Sequence, residues 1–345
     1  MSWSRTLKHA QVVRSRSTTE LGVGLCPRKW IGLRSTGMAT FLQAVQGSAP
    51  SDSRPTHGSA ALSDYRQCRP VSCCSATATG LQSAGVDRND RPMNSSVEHV
   101  LEGGNVAETV VRVGSTVRKP ATVSTAAVEA LLDHFTDVGF SGAPRSLGRD
   151  ELGRHVLEYV PGEIAYSLPP LTASELRRLG AFIHELHDAA ESFKPPPVPH
   201  WNVVIAPDHE DLVCHHDLAP WNLVRDGDRW VFIDWDGAGP GSRLWDLAYT
   251  ASTFVPFCAG GDPVLDGPRL RALADGYGLD EQQRLAFPTL VAAHTRGMYD
   301  LLHSASLTGE RPWARLYAEG HGEHWGPAAD YIEAHLERWT IALFD

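Results

Sequence analysis

The rhythm of hydrophobic and polar positions changes near Val97, and that change divides the chain. Across residues 1–92 apolar residues recur at neither helical nor strand spacing. Residues 47–57 and 72–80 have the Ser, Thr, Gly and Pro content of turns and disordered segments. From Val97 onward, residues 100–113 read as strand, a turn carrying Gly103 and Gly104, then strand. Residues 116–119 predict a third short strand, ended by Pro120. Over residues 125–138, Val128, Leu131, Leu132 and Phe135 fall on one helical face, with Ser124 or Thr125 to cap it and Gly139 to end it. Two more strands are predicted over residues 145–148 and 155–160, before the Pro161-Gly162 turn.

The remainder reads mainly as helix. Leu176, Leu179, Phe182, Ile183 and Leu186 repeat at helical spacing across residues 172–191, with Thr172 or Ser174 as cap. His184 and His187 on that helix read as structural or surface residues. Lys194-Pro195-Pro196-Pro197 predicts a stiff linker, followed by strands over residues 212–214 and 230–233. The best later helical stretches are residues 270–277, 280–299 (kinked at Pro288) and 328–343. His321 and His324 have the spacing of two ligands on one helix face, but no zinc signature surrounds them and Gly322 and Gly326 weaken a helix there. The segment is expected to be a loop near an acceptor pocket.

Composition then narrows the class. Of 345 residues, 42% are apolar and 21% charged, so most of the chain can bury a core. No apolar run is long enough to cross a membrane as a helix. A net charge of −10 argues against generic nucleic-acid binding. Residues 1–92 hold 12 Lys and Arg against 5 Asp and Glu, leaving 19 basic against 36 acidic residues for the rest. Two segments of opposite sign are expected to have separate histories. Residues 1–92 are read as a disordered extension, with a true start at Met93 as the alternative; the Arg- and Ser-rich, acid-poor opening also resembles a transit peptide. The six cysteines show no regular metal-ligand spacing, which fits a reduced, cytoplasmic protein.

The order strand, glycine turn, strand, basic strand, helix, two strands is that of a nucleotide-binding lobe. The glycines let backbone amides approach phosphates, and Lys119 is placed to reach the α- and β-phosphates. Strand alternation allows only one of Arg118 and Lys119 to point inward, so Arg118 competes for that role. Glu129 is the candidate to orient the lysine. Each signal alone is weak, because a Gly-Gly hairpin is ordinarily just a hairpin.

Residues 212–249 are more specific. A strand leads into His215-His216-Asp217-Leu218-Ala219-Pro220-Trp221-Asn222, a second strand ends in Asp234-Trp235-Asp236, and Asp246-Leu247-Ala248 follows. Phosphoryl transfer uses such a set: Asp217 to orient and deprotonate an acceptor hydroxyl, with Asn222 and Asp234 as oxygen ligands for Mg²⁺.

These three motifs resemble the aminoglycoside phosphotransferase and choline kinase family, whose loop reads H-G-D-x-x-P-x-N, followed by I-D-[FW]-[DE] and D-L-A. His215, Asp217, Pro220 and Asn222 match the first, Asp234, Trp235 and Asp236 the second, and Asp246-Leu247-Ala248 the third. The resemblance spans about 250 residues, from Val97 to the C-terminus. It implies an α+β, two-lobed protein-kinase-like fold, with a small β-rich lobe over residues 93–160 and a larger, mainly helical lobe over 161–345. It implies Asp217 as catalytic base, Asn222 and Asp234 as Mg²⁺ ligands, His215 as the residue that packs the loop, and Asp246 as its anchor. Residues 155–160 resemble the hinge between lobes, so backbone groups of Glu158, Tyr159 and Val160 would meet an adenine edge. Gly103, Gly104 and Lys119 would complete the ATP site, with GTP not excluded. His216 and Trp221 depart from the small residues usual at those positions.

The function expected is ATP-dependent phosphorylation of a small hydroxyl acceptor, amine-bearing in view of the acidic balance of residues 93–345. The alternative is a catalytically silent nucleotide- or partner-binding protein on the same fold. No D-F-G or A-P-E signature follows Asp234, which argues against a protein kinase. Neither nucleic acid nor membrane is an expected partner, and nothing in the sequence fixes an oligomeric state.

Overall fold

The structure is a computed structural model that describes residues 97–101, 110–255 and 257–345. The expectations for residues 1–92 and for the Gly103-Gly104 turn lie outside the described residues. Ten strands and eight helices occur among the described residues. Strands β1 (His99–Leu101), β2 (Val110–Val113), β3 (Thr116–Lys119), β4 (Ser146–Arg149) and β5 (His155–Glu158) form an antiparallel sheet in the order β1-β2-β3-β5-β4. Helix α1 (Thr125–Asp137) interrupts them, and its predicted apolar face, Val128, Leu131, Leu132 and Phe135, is buried. Phe135 meets the Trp235 ring edge-on at 5.1 Å, which ties this helix to the second acidic motif.

The rest is built on α2 (Ala173–Glu191), which starts in a capping box between Thr172 and Glu175. Strand β6 (Glu163–Ile164) pairs with β8 (Leu223–Asp226), and β8 forms a hairpin with β9 (Arg229–Phe232). Strand β7 (Leu212–Cys214) pairs with β10 (Gly239–Gly241). Five further helices follow α3 (Arg243–Phe254): α4 (Pro263–Tyr277), α5 (Glu281–Thr308), α6 (Trp313–Ala318), α7 (His321–Ala334) and α8 (Leu336–Phe344).

Three helices differ from the sequence expectation for identifiable reasons. α4 begins seven residues early because Asp262 accepts from the Val264 amide at 2.9 Å and Pro263 occupies the first turn. The early turns carry exposed Val264 and Leu265, so no buried stripe marks them. α5 runs through Pro288 to Gly309, which stops it in a left-handed conformation. The expected loop at His321 to His324 is instead the first turn of α7, which extends to Ala334. Gly322 and Gly326 do not break it; a Cβ at either would run into the rings of Tyr317 and Tyr299. Their smallness lets α7 lie against α5 and α6.

The same logic joins α2 to α4. A Cβ built on Gly180 meets the Leu273 carbonyl, and one built on Gly276 meets the Arg177 carbonyl. Gly→Ala inside a helix ordinarily stabilises by about 1 kcal/mol. Here Gly276→Ala is expected to destabilise by about 3 kcal/mol, because backbone atoms cannot move aside. Urea unfolding measures this, and a stabilised variant would contradict the close packing.

A large buried cluster links α1, α2, β9 and the later helices, with Phe232, Trp235 and Leu179 near its middle. A second, separate cluster gathers Tyr249, Leu302, Leu316 and Trp325. No helix of the described residues is long and apolar enough to cross a membrane.

Candidate active site

The loop after β7 is held in shape from behind. Asp246, fully buried in the first turn of α3, accepts from the His215 amide at 3.1 Å and the His216 amide at 2.9 Å. His187 of α2 donates to the same carboxylate at 3.2 Å and bonds the Tyr277 hydroxyl through its other nitrogen. Burial pushes the Asp246 carboxyl up, but the His187 hydrogen bond and the histidine charges around it hold it down at about 2. His187 is thus a structural residue, as expected, with a specific partner.

His216 adopts φ 62°. That conformation suits the glycine of the H-G-D pattern and strains other residues by about 1–3 kcal/mol. Its ring offsets the strain by donating from Nε2 to the carbonyls of Gly239 and Pro240, at 3.1 and 3.0 Å, so it pins the loop to β10. His215 is buried and accepts at Nδ1 from the Asp217 amide (3.2 Å) while Nε2 donates to the Ile233 carbonyl (3.1 Å). That pattern requires a neutral ring, and burial lowers its pKa accordingly.

The Asp217 carboxylate accepts from two side chains. Asn222 Nδ2 donates from 2.7 Å and Trp221 Nε1 from 3.3 Å, and the Tyr249 hydroxyl lies beside them. Burial and the charge of Asp234 raise its carboxyl to about 7 despite those hydrogen bonds. Asn222 is carried next to Asp234 because the Ile233 amide donates to its carbonyl at 2.8 Å, extending the β8–β9 ladder by one rung. Asp234 itself is left-handed, φ 63° and ψ 67°. This turn buries Trp235, whose Nε1 donates to the Phe232 carbonyl at 2.9 Å, and leaves the Asp234 side chain 55% exposed in the cleft. With the Asn222 nitrogen turned to Asp217, the amide oxygen of Asn222 and the carboxylate of Asp234 form an oxygen donor set that fits a hard divalent cation.

From the small sheet, Lys119 reaches across to Asp236 at 2.6 Å and Asp234 at 3.3 Å. Burial pulls its pKa down, but the two carboxylates raise it above the ordinary lysine value. The alternation is thereby resolved: Lys119 is buried and faces the acidic motif, while Arg118 turns to Asp150 at 3.5 Å. Glu129 does not orient the lysine. It binds Arg149 at 2.9 Å, because the α1 turn it occupies lies over β4. Glu158, Tyr159 and Val160 line the same cleft as Lys119, Asp217, Asn222, Asp234 and Asp236. The Glu158 amide donates to the Arg145 carbonyl and the Tyr159 amide to the Ser115 carbonyl, both at 2.9 Å. The Glu158 carboxylate bridges Arg145 and Arg229 at 3.2 and 3.1 Å, tying the small sheet to β9. His215 and Asp246 stand behind the cleft as supports, and Gly103 and Gly104 lie outside the described residues. Tyr249 was missed in the sequence, although it sits three residues after Asp246 on one helix face.

Residues 199–286 match the model of a phosphotransferase enzyme family. Over 204 residues the chain is 32% identical to the trifolitoxin immunity protein of Rhizobium leguminosarum bv. trifolii, covering 55% of this chain and 77% of that protein. Its fold is similar to that of a choline/ethanolamine kinase family protein from Mesorhizobium loti, with a TM-score of 0.50, 17% identity, and coverage of 73% of this chain and 93% of that one. It is also similar to an amicoumacin kinase solved in complex with AMP-PNP, Ca²⁺ and Ami, with a TM-score of 0.50, 14% identity, and coverage of 68% and 88%. The α+β, two-lobed kinase-like architecture expected from the sequence is the one that these likenesses show.

Proposed function

The chain belongs to the phosphotransferase enzyme family, and from that premise we propose that it moves the γ-phosphate of ATP to a hydroxyl of a small-molecule acceptor. The observation that carries the reading is the convergence of Lys119, Asp217, Asn222 and Asp234 on one cleft. Asp217 accepts the hydroxyl proton as the acceptor oxygen bonds to phosphorus, and the bond to the β,γ-bridging oxygen breaks to leave ADP. Lys119 exchanges Asp234 for the α- and β-phosphates, and Asp236 remains to steady it. Asn222 and Asp234 would hold Mg²⁺, which when bound neutralises charge on the β- and γ-phosphates. With the Glu158 and Tyr159 amides already bonded, we assign the adenine contact to Val160 and the carbonyls of this stretch. The small-lobe and large-lobe boundaries remain those proposed from the sequence, 93–160 and 161–345, and a cytoplasmic setting supplies the nucleotide.

Mg²⁺-dependent ATP consumption, with GTP as a competing donor, tests the reading across aminoglycosides, choline, homoserine and trifolitoxin. The expectation of an amine-bearing acceptor rests only on the acidic balance of residues 93–345 as a whole, so both charged and neutral alcohols belong in the panel. ATP binding without stimulation by any acceptor would favour the silent binding protein. Asp234→Ala is expected to weaken Mg²⁺-dependent nucleotide binding at least about tenfold, the scale on which even outer-shell partners of a metal act. Calorimetry with and without Mg²⁺ measures it, and an unchanged metal dependence would remove Asp234 from the ligand set.

A further inference from the structure

Past Asp217 the cleft runs into a chamber with a hydrophobic cluster of its own. Tyr249 of α3, Leu302 of α5, Leu316 of α6 and Trp325 of α7 are its buried members, and Trp221 and Met298 pack against them. Among the described residues, the lining that residues 202–205, α3, α5, α6 and α7 contribute contains no Asp, Glu, Lys or Arg. Asp217, at the mouth, already accepts from Trp221 and Asn222. The acidic excess of the chain therefore does not lie on this wall.

An ammonium brought into such a chamber loses its hydration and must be compensated by carboxylates or by free aromatic faces. Apart from Trp313 of α6, which also lines the chamber, the rings here are turned on one another. Tyr249 stacks on Trp325 at 6.3 Å and packs on His294 at 4.9 Å, and Trp221 meets it edge-on at 72°. Asn202, His294 and His321 are the polar side chains on this wall besides the Tyr249 hydroxyl. His294 is the most deeply buried of the three, 2% exposed, with an Nδ1 that has no hydrogen-bond partner among the described residues. Burial drives its pKa to about 3, so it offers a neutral donor or acceptor and no charge.

We propose that the acceptor is a neutral alcohol with an apolar body, its hydroxyl at Asp217 and its body against Tyr249, Leu302 and Trp325. The phosphate chemistry of this acceptor rests on the phosphotransferase reading, whereas the preference for an uncharged body rests on the chamber alone.

Choline and 3,3-dimethyl-1-butanol form a matched pair in which carbon replaces the quaternary nitrogen. Each is titrated into the full chain with AMP-PNP and Mg²⁺, reading tryptophan fluorescence, and each is offered with ATP for phosphoryl transfer. The neutral alcohol is expected to bind at least about tenfold tighter, the low end of what a hydrophobic pocket discriminates. Met298→Glu is expected to reverse the order by placing a carboxylate on the wall. Preference for choline, equal binding of the two, or no binding of the neutral alcohol at millimolar concentration overturns the proposal. Neutral preference in binding with neither compound phosphorylated upholds the chamber assignment and counts against the phosphotransferase reading.

Discussion

Asp217→Asn is expected to lower turnover by about 10²- to 10⁴-fold, the usual contribution of a positioned general base, while ATP binds nearly as tightly as before. The substitution keeps the side chain's shape. It removes the acceptor site for a hydroxyl proton and places an amide where Trp221 and Asn222 now donate. The nucleotide side proposed for the cleft, Lys119, Asn222, Asp234 and the 158–160 stretch, is left in place by the change. The split between turnover and ATP affinity therefore distinguishes a base from a residue that merely shapes the cleft. Steady-state kinetics and calorimetric titration of ATP provide the two numbers, and a variant that keeps its turnover removes Asp217 from the role of base. Tyr249→Phe should act in the same direction by a smaller factor, since it removes a hydroxyl beside the same carboxylate.

The grouping of the candidate site residues was legible in the sequence because it is local. Asp217 and Asn222 share one loop, and Asp234 ends the strand that pairs beside it, so spacing alone brought them together. What was illegible depends on packing between distant elements. The Lys119 partner was assigned to Glu129, four residues into the next helix, because sequence proximity cannot show that Glu129 faces Arg149 over β4. The left-handed backbone at His216 and Asp234 carries no sequence signature beyond the usual glycine at the first of them. Gly322 and Gly326 looked like helix breakers, whereas each is small because a tyrosine ring lies against it. The chamber proposed for the acceptor was invisible for the same reason. Four helices supply it, each contributes one to four residues, and no periodicity distinguishes a side chain that faces a cavity from one that faces the core.

The stability of the catalytic loop should depend on Asp246 more than on any residue in the cleft. Its carboxylate accepts from two loop amides and from buried His187, with no exposure of its own. Asp246→Asn turns a donor NH₂ toward groups that are themselves donors and leaves His187 without its partner, a loss of about 3–5 kcal/mol by analogy with broken buried pairs. Acid should expose the same interaction. The carboxyl titrates at about 2 in the folded chain, below the ordinary unfolded value of about 4. The unfolded chain therefore takes up the proton first, so this stabilisation is fully present above about pH 4 and is lost as the pH falls towards 2. Urea unfolding of the wild type and Asp246→Asn at pH 7, then stepwise from pH 5 to 3, tests both parts. The gap between them should be largest at pH 7 and narrow on acidification as the wild type loses what the variant never had. Parallel curves would mean that the charge on Asp246 does not hold the loop, and the position of Asp217, two residues beyond His215, would then need another cause.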